Sequence, residues 1–387
     1  MDKKWLLFGL HEMEGVGWKS IAGIVEATHN LEMDVEEGKG GWLSDALLAR
    51  AGVRKDIAGK VRDTLTASFI ERRREAYEKA NIGIITRFDD TYPSLLKHAD
   101  SPPWILYYKG DLKMLQLPQI AIVGTRVPTA YGKHVAQQLG QELSERGYAV
   151  VSGMARGIDA AAHAGALSGC GGTIAVLGAG PERIYPPENR VLYERIAEKG
   201  LILSEYPLGS ALHPIKFPRR NRIIAGLSFG TVVVEAAERS GALITADMAA
   251  SANREVFIVP GPITSPKSRG VLKLWGEYSV TPVWSADGVE AGISHLLTPD
   301  WKAAMNERTG SKAAVPAGNL PGLQDAQPLS EDERRILDIL ANAPASIDEL
   351  EAATKFPFGH LHSVLLSLLM KKKIEQKSGS YFHFITY

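Results

Sequence analysis

The run His213-Pro214-Ile215-Lys216-Phe217-Pro218-Arg219-Arg220-Asn221-Arg222 places four cations within seven residues, with an aromatic among them and no acid nearby. Pro218 suits the first turn of a helix, so Arg219, Arg220 and Arg222 are expected to crowd a helix N-terminus. Cations there oppose the helix dipole at about 0.3–1 kcal/mol each. An external phosphate chain, flanking Lys216 and Asn221, would offset that cost, and Phe217 would then stack on a base. The bland alternative is a solvated basic turn with Phe217 in the core.

A second candidate is Ser152-Gly153-Met154-Ala155-Arg156-Gly157-Ile158-Asp159, small residues leading from an apolar run into a helical one. Such a turn presents backbone N–H groups and a positive helix end to a phosphate. Gly124-Thr125-Arg126, after another apolar run, is expected beside it. Either motif also reads as a tight turn with a solvated arginine. Asp159 and His163 lie four apart on one helix face and resemble an acid/base pair. An Asp in a first turn satisfies the helix dipole, however, and no third group stands at triad or metal-ligand spacing, so a structural role is favoured. Glu235, at the end of Gly230-Thr231-Val232-Val233-Val234-Glu235, is the one plausible general base. That element resembles the Gly-Thr-x-x-Glu of phosphoribohydrolases, off by one in spacing and lacking the preceding double glycine. A nucleotide N-glycosidase is the alternative it leaves open.

These residues sit on a regular alternation. Apolar, β-branched runs at Gln119–Val123, Tyr148–Val151, Thr173–Leu177, Leu201–Leu203, Thr231–Val234 and Val256–Val259 are separated by helical stretches. The helical stretches include Ala130–Arg146, Ile158–Leu167, Asn189–Lys199 and Ala242–Asn253. Near-continuous apolar strands alternating with helices predict an α/β, Rossmann-like, doubly wound and mostly parallel sheet covered on both faces. In such sheets the ligand crevice lies outside the carboxyl ends of the strands, where Gly124, Ser152-Gly153, Gly178-Ala179-Gly180 and Glu235 all fall. The first turn lacks Gly-x-Gly-x-x-Gly and the chain has no Walker A motif, which argues against a dinucleotide cofactor and against ATP hydrolysis.

Four segments emerge across the 387 residues: a helical segment 1–114, the α/β segment 115–295, an Ala/Gly/Pro-rich linker 296–329, and a terminal unit 330–387. The 44 basic and 44 acidic residues cancel. The α/β segment carries 17 basic against 15 acidic residues, so any anion site must be a local cluster. A single cysteine, Cys170, excludes an intrachain disulfide framework and a Cys-based zinc ribbon, and it fits a reducing cytoplasm. No run reaches the roughly 18 apolar residues of a membrane span, and MDKKWLLFGLHEMEG is too short in apolar residues for a secretory signal.

The α/β segment closely resembles the DNA-processing protein A family (DprA, also called Smf), bacterial single-stranded DNA binders. The resemblance rests on IAIVGTRVPTAYG, VVSGMARGIDAAAHAGAL, GGTIAVLGAGPERIYPPENRVLYERI, LILSEYPLG, FPRRNRIIAGLS, GTVVVEAAERSGALITADMA and REVFIVPGPITSPKSRG, in family order over about 150 residues. It implies a homodimer, without cofactor or chemistry of its own, that binds single-stranded DNA. It further implies delivery of that DNA to RecA and displacement of single-strand-binding protein during natural transformation. Carried over by motif, the DNA site comprises Gly124, Thr125, Arg126, the turn Ser152, Gly153, Ala155, Gly157, Ile158, Asp159, and Lys216, Phe217, Arg219, Arg220, Asn221, Arg222. After Ser268-Arg269-Gly270 the chain departs from the family pattern, reading Val271-Leu272-Lys273-Leu274-Trp275-Gly276-Glu277-Tyr278. The resemblance places the dimer and RecA contacts there. Exposed Leu272, Leu274 and Trp275 would favour an interface, buried ones ordinary core.

The first segment, with Gly15-Val16-Gly17 before a helical stretch, looks like a helix-hairpin-helix or sterile-alpha-motif unit with a packing or partner role. The terminal unit reads as helices at Glu331–Ala341, from Ser346, and at Gly359–Lys371, then strands Ile374–Lys377 and Tyr381–Phe384. That is a winged-helix pattern. Its third helix is too apolar for a major-groove reader, which favours protein interaction or weak DNA contact over duplex regulation.

Overall fold

Short apolar runs without a polar face are stable as strands only where helices cover both sides of the sheet, and that is how this chain is built. The structure, a computed structural model, describes residues 3–29, 42–313, 330–342, 345–356, 361, 364–365, 368, 373–377 and 381–384. Helices α1 (Lys3–His11), α2 (Trp18–Ala27), α3 (Asp45–Arg50), α4 (Lys55–Thr64) and α5 (Ala67–Lys79) come first. They lead through β1 (Gly83–Thr86), α6 (Ser94–Lys97) and β2 (Ile105–Gly110) into β3 (Gln119–Val123). Strict alternation follows: α7 (Ala130–Glu145), β4 (Ala149–Ser152), α8 (Ile158–Ala166), β5 (Thr173–Leu177), α9 (Arg190–Lys199), β6 (Leu201–Ser204), α10 (Lys216–Leu227), β7 (Gly230–Val233), α11 (Gly241–Ser251) and β8 (Glu255–Ile258). The unit closes with α12 (Arg269–Glu277), β9 (Thr281–Pro282), α13 (Ala286–Ile293) and α14 (Pro299–Ala313).

The strands form one sheet in the order β1-β2-β6-β5-β4-β3-β7-β8-β9. From β6 to β9 all neighbours are parallel, as the alternation requires, with Ile120 opposite Val150 on one side and Gly230 on the other. Along β3 the side chains divide by the period of two. Ala121 and Val123 join the core under α10 and α11, whereas Ile120 and Ile122 pack with α7, α8 and α13.

Two expectations need correction. Helical character was expected through residue 114, yet β1 and β2 extend the sheet antiparallel, Tyr107 pairing with Ser204. Their Ile and Tyr content is a strand signal that the surrounding helices obscured. Residues 296–329 were expected to be linker, but α14 occupies their first half. Its Trp301 meets Phe229 edge-on at 5.4 Å and its Met305 is buried in the sheet core, so the polar composition hid a helix with a narrow apolar stripe.

The chain divides into two compact units, 1–315 and 316–387. The second carries α15 (Glu331–Asn342), β10 (Ala345–Ser346), α16 (Ile347–Thr354) and the antiparallel pair β11 (Ile374–Lys377) and β12 (Tyr381–Phe384). Ser346 caps α16 in a reciprocal capping box with Glu349, as its spacing predicts. The expected helix Gly359–Lys371 lies mostly outside the described residues. Among the described residues no helix is long and apolar enough to cross a membrane.

Candidate functional site

The chain winds through β3, β4, β5 and β6 in one direction, then returns to β7 on the other side of β3. At this switch point the connections leave on opposite faces and open a crevice at the strand ends. An open crevice of about 640 Å³ lies there, lined by Gly124, Thr125 and Arg126 after β3, Ala155 and Asp159 near α8, and Phe217, Arg220 and Asn221 on α10.

The basic run does form a helix start, and helical periodicity splits it. Residues 217, 220, 221 and 224 share one face, and it is this face that lines the crevice. Lys216, Arg219 and Arg222 point elsewhere. Lys216 Nζ donates to Ala211 O at 2.8 Å and sits 4.6 Å from the Tyr206 ring centroid. Arg222 is paired with Glu205 at 2.5 Å. The expectation of four cations uncompensated at one helix end is therefore corrected. An acid from the end of β6, invisible within the run itself, neutralises one of them. Burial pushes the Glu205 carboxyl up, and Arg222 opposes that rise.

The Ser152–Asp159 turn also differs from its expectation. Its amides do not wait for a phosphate. Gly153 N and Ala155 N donate to the Asp159 carboxylate at 3.0 and 3.3 Å, Met154 N donates to His163 Nε2 at 3.3 Å, and Ile158 N donates to Thr125 O at 3.2 Å. An internal carboxylate has taken the anion's place. Ser152 and Ile158 are buried, Ser152 Oγ donating to Ile122 O at 2.6 Å and Ile158 packing under Gly124. They support the crevice wall and do not form its surface. Gly157 adopts φ +79°, and a Cβ there would stand 2.4 Å from Thr125 O, so this turn closes only on glycine.

Asp159 and His163 are not an acid/base pair. With Nε2 accepting from Met154, the His163 proton belongs on Nδ1, 2.6 Å from Thr173 Oγ1, which donates in turn to Val150 O at 2.7 Å. Burial lowers the His163 pKa to about 3, with Arg220 adding to the effect, so the ring stays neutral and structural.

Arg220 is the unusual group. It is 5% exposed, and its Nη1 donates to Gly153 O at 2.8 Å and also to Val176 O. Its Nε donates to Asn221 Oδ1 at 3.2 Å. Burial lowers its pKa from 12.5 to about 10 although Asp159 pulls the other way, and the same burial raises Asp159. Gly153 lies between the two, where a Cβ would be 2.5 Å from Arg220 Nη2 and 2.7 Å from Asp159 Oδ2. Arg220 therefore reaches the crevice floor held by carbonyls, which orient a guanidinium without cancelling its charge.

Residues not foreseen complete the crevice. Tyr185 pairs with Phe217, ring centroids 5.3 Å apart and planes at 36°, and both line it. Arg239, Ser240, Gly241 and Thr245 bring in the start of α11, which Ser240 caps by accepting from Ala242 N at 3.3 Å. A serine before an apolar helical run is a start signal that locates this wall. Phe217 is half-buried against Gly178, between the stacking role and the core role.

Glu235, the basis of the enzymatic alternative, faces away. It is 5% exposed, and its carboxylate accepts from Thr129 N at 2.9 Å and Thr129 Oγ1 at 2.5 Å, beneath the start of α7. Its backbone O accepts from Thr125 N at 2.7 Å, which fixes the β3 turn to the end of β7. Among the described residues no group of three His, Cys, Asp or Glu side chains could hold a metal ion. In the divergent segment, Leu274 is 4% exposed and belongs to the core, Leu272 is intermediate, and Trp275 is 48% exposed. By burial, Leu274 is removed from the expected interface and Trp275 stays available.

Comparison with known proteins agrees with this architecture. Residues 83–290 match the family described as DNA recombination-mediator protein A, and residues 321–380 match the DprA winged helix domain. The chain is 38% identical over 322 residues to Protein Smf of Synechocystis, spanning 79% of this chain and 81% of that protein. It is 42% identical over 215 residues to DNA processing protein DprA of Bacillus subtilis, spanning 55% and 72% respectively. The X-ray structure of DNA processing protein A from Streptococcus pneumoniae aligns with a TM-score of 0.66 at 33% identity, covering 76% of this chain and 98% of that one. The Helicobacter pylori protein, whose structure reports a single-stranded DNA binding mode, aligns at 0.51 with 29% identity over 56% of this chain and 97% of that one. The doubly wound sheet, the terminal winged helix and these matches lead to one conclusion: the chain belongs to the DNA-processing protein A (DprA/Smf) family.

Proposed function

We propose that the crevice binds single-stranded DNA and that the protein acts as a recombination mediator without chemistry of its own. Phe217 and Tyr185 stack against bases, which is worth about 1–3 kcal/mol per base in single-strand binders. Arg126, Arg220 and Arg239 meet the phosphate chain, while Lys216 and Arg219 add positive potential at the rim and Arg222, paired with Glu205, fixes α10. The observation that carries this reading is the union of an aromatic pair with three arginines in one open crevice at the switch point. The single-stranded DNA binding mode reported for the Helicobacter pylori relative supports it. In the same reading the DNA is protected, single-strand-binding protein is displaced and RecA is loaded, in the cytoplasm. A homodimer forms through the face around Leu272 and Trp275.

The test is a gel shift with single-stranded and duplex oligonucleotides at several salt concentrations, with sizing and RecA co-purification alongside. The expected result is preference for the single strand with a falling affinity as salt rises. Equal binding of duplex and single strand, or salt-independent binding, refutes it. The N-glycosidase alternative is not favoured, because Glu235 is committed beneath α7. Release of free base from a nucleoside monophosphate, abolished by Glu235→Gln, would reinstate it.

A further inference from the structure

The eleven residues between Ser204 and Lys216 form the connection that delivers α10, and with it Phe217 and Arg220, to the crevice. Connections between strand and helix in α/β units are usually about 2–6 residues, so this one carries more freedom than its position tolerates. The helical N-terminal region removes that freedom at a single residue. Leu208 N donates to the Tyr77 hydroxyl at 2.7 Å, and Leu208 O accepts from Arg73 Nη2 at 3.1 Å. The Leu208 side chain packs against the core of the N-terminal helices. Both backbone polar groups and the side chain of one loop residue are thus held by α5 and its surroundings.

The holding groups are themselves fixed. The Tyr77 hydroxyl donates to Glu12 Oε1 at 2.7 Å, and Tyr107 donates to the same oxygen at 2.5 Å. Arg73 pairs with Glu12 at 2.5 Å, where the Glu12 side chain is fully buried. The Tyr77 and Tyr107 rings stack at 4.9 Å with planes 18° apart. Burial and the Glu12 charge push the Tyr77 pKa far up, so its hydroxyl remains a donor to Glu12 while accepting from Leu208. On the far side of Leu208, Gly209 N donates to Glu182 Oε1 at 2.9 Å and Lys216 Nζ closes on Ala211 O.

We infer that Tyr77 and Arg73 are positioning residues for the DNA crevice, and that the N-terminal helices act on single-stranded DNA through the Leu208 clamp. The inference rests on the proposed reading of the crevice. The clamp preorganises the loop, and loss of preorganisation is read as weaker binding without loss of a phosphate contact.

The test uses the full chain carrying Tyr77→Phe, which removes one hydroxyl. Hydrogen exchange of the 207–215 segment without DNA, and titration of a fluorescein-labelled oligo-dT at several salt concentrations, are the two readouts. Exchange in 207–215 should accelerate and affinity should fall by about tenfold or less, with the slope of log affinity against log salt unchanged. Unchanged exchange overturns the clamp, and accelerated exchange with parental affinity overturns its role in binding. Should Tyr77→Phe fold poorly, Arg73→Lys keeps a cation for Glu12 but cannot span Glu12 and Leu208 O together, and the same outcomes decide. Arg126→Ala runs in parallel. If it too binds like the parent, the reading of the crevice fails, and the exchange readout still judges the clamp by itself.

Discussion

Two arginines, one half-buried and one buried, are treated oppositely and separate the candidate site of this molecule from its support. Arg73, in the N-terminal region, meets a fully buried Glu12 at 2.5 Å. Despite burial its pKa is raised, because Glu12 more than compensates. Arg220, on the crevice floor, is buried more deeply and held by carbonyl oxygens, and its pKa falls to about 10. A buried charge needs either a countercharge or enough dipoles to hold it. The first solution is a direct ion pair, whereas in the second carbonyl dipoles hold the guanidinium and Asp159 acts on it from nearby. Position in the fold follows the same division, since the ion pair ties helices together and the carbonyl-held arginine lies at the switch point.

Removing Arg220 should break this contrast most severely. Arg220→Ala strands the carbonyls of Gly153 and Val176 and leaves Asp159 without its cation, so a loss of about 3 kcal/mol in urea unfolding is expected. Single-strand affinity should fall with it. If stability is unchanged, the carbonyl cage is not what holds the guanidinium.

Acid should act on both regions alike. Each contains a histidine with a lowered pKa, the half-buried His11 to about 4 and the fully buried His163 to about 3, both chiefly by burial. The folded chain resists protonating them, whereas the unfolded chain takes up protons near pH 6.5. Their stabilisation is complete above pH 6.5 and declines as pH falls toward 4 and 3. Between pH 6.5 and 5 the decline should be about 2 kcal/mol per histidine in denaturant titrations. A flat profile over that range contradicts their burial in neutral form.

Much of the scaffold behind this comparison was legible. All six parallel strands expected between residues 119 and 259 occur within a residue of their expected limits, because apolar runs between turn residues have one good use in a two-faced sheet. The antiparallel extension was missed, since Gly83–Thr86 and Ile105–Gly110 lie among helices and belong to the sheet only through pairing with β6. In the candidate site, Phe217, Arg220 and Asn221, singled out by local composition, line the crevice. The separation of Lys216, Arg219 and Arg222 from them needed the helical phase and the distant Glu205. Asp159 satisfying the Gly153 and Ala155 amides is likewise a three-dimensional fact, because a glycine-rich turn reads the same whether its amides face a phosphate or a carboxylate.

Smaller effects sharpen the crevice side of the comparison. Arg126→Ala should cost about tenfold in oligo-dT affinity and reduce the salt slope by about one, leaving the melting temperature unchanged. An unaltered slope would place Arg126 off the phosphate path. Arg219→Ala, exposed and outside the crevice lining, should change affinity by only about twofold, since a rim charge acts mainly through screened potential. A loss as large as that of Arg126 would move the DNA path onto the other face of α10.

The ends of the sheet have a consequence of their own. A nine-stranded sheet with long, regular borders would offer hydrogen-bonding rows to any neighbouring chain, a route to clumping wherever many copies gather. Here one border is the four-residue β1 and the other the two-residue β9, which contains Pro282. Short margins and a residue without an N–H are how natural sheets discourage edge-to-edge growth. Many copies can therefore gather at high concentration while their sheets have little means of joining.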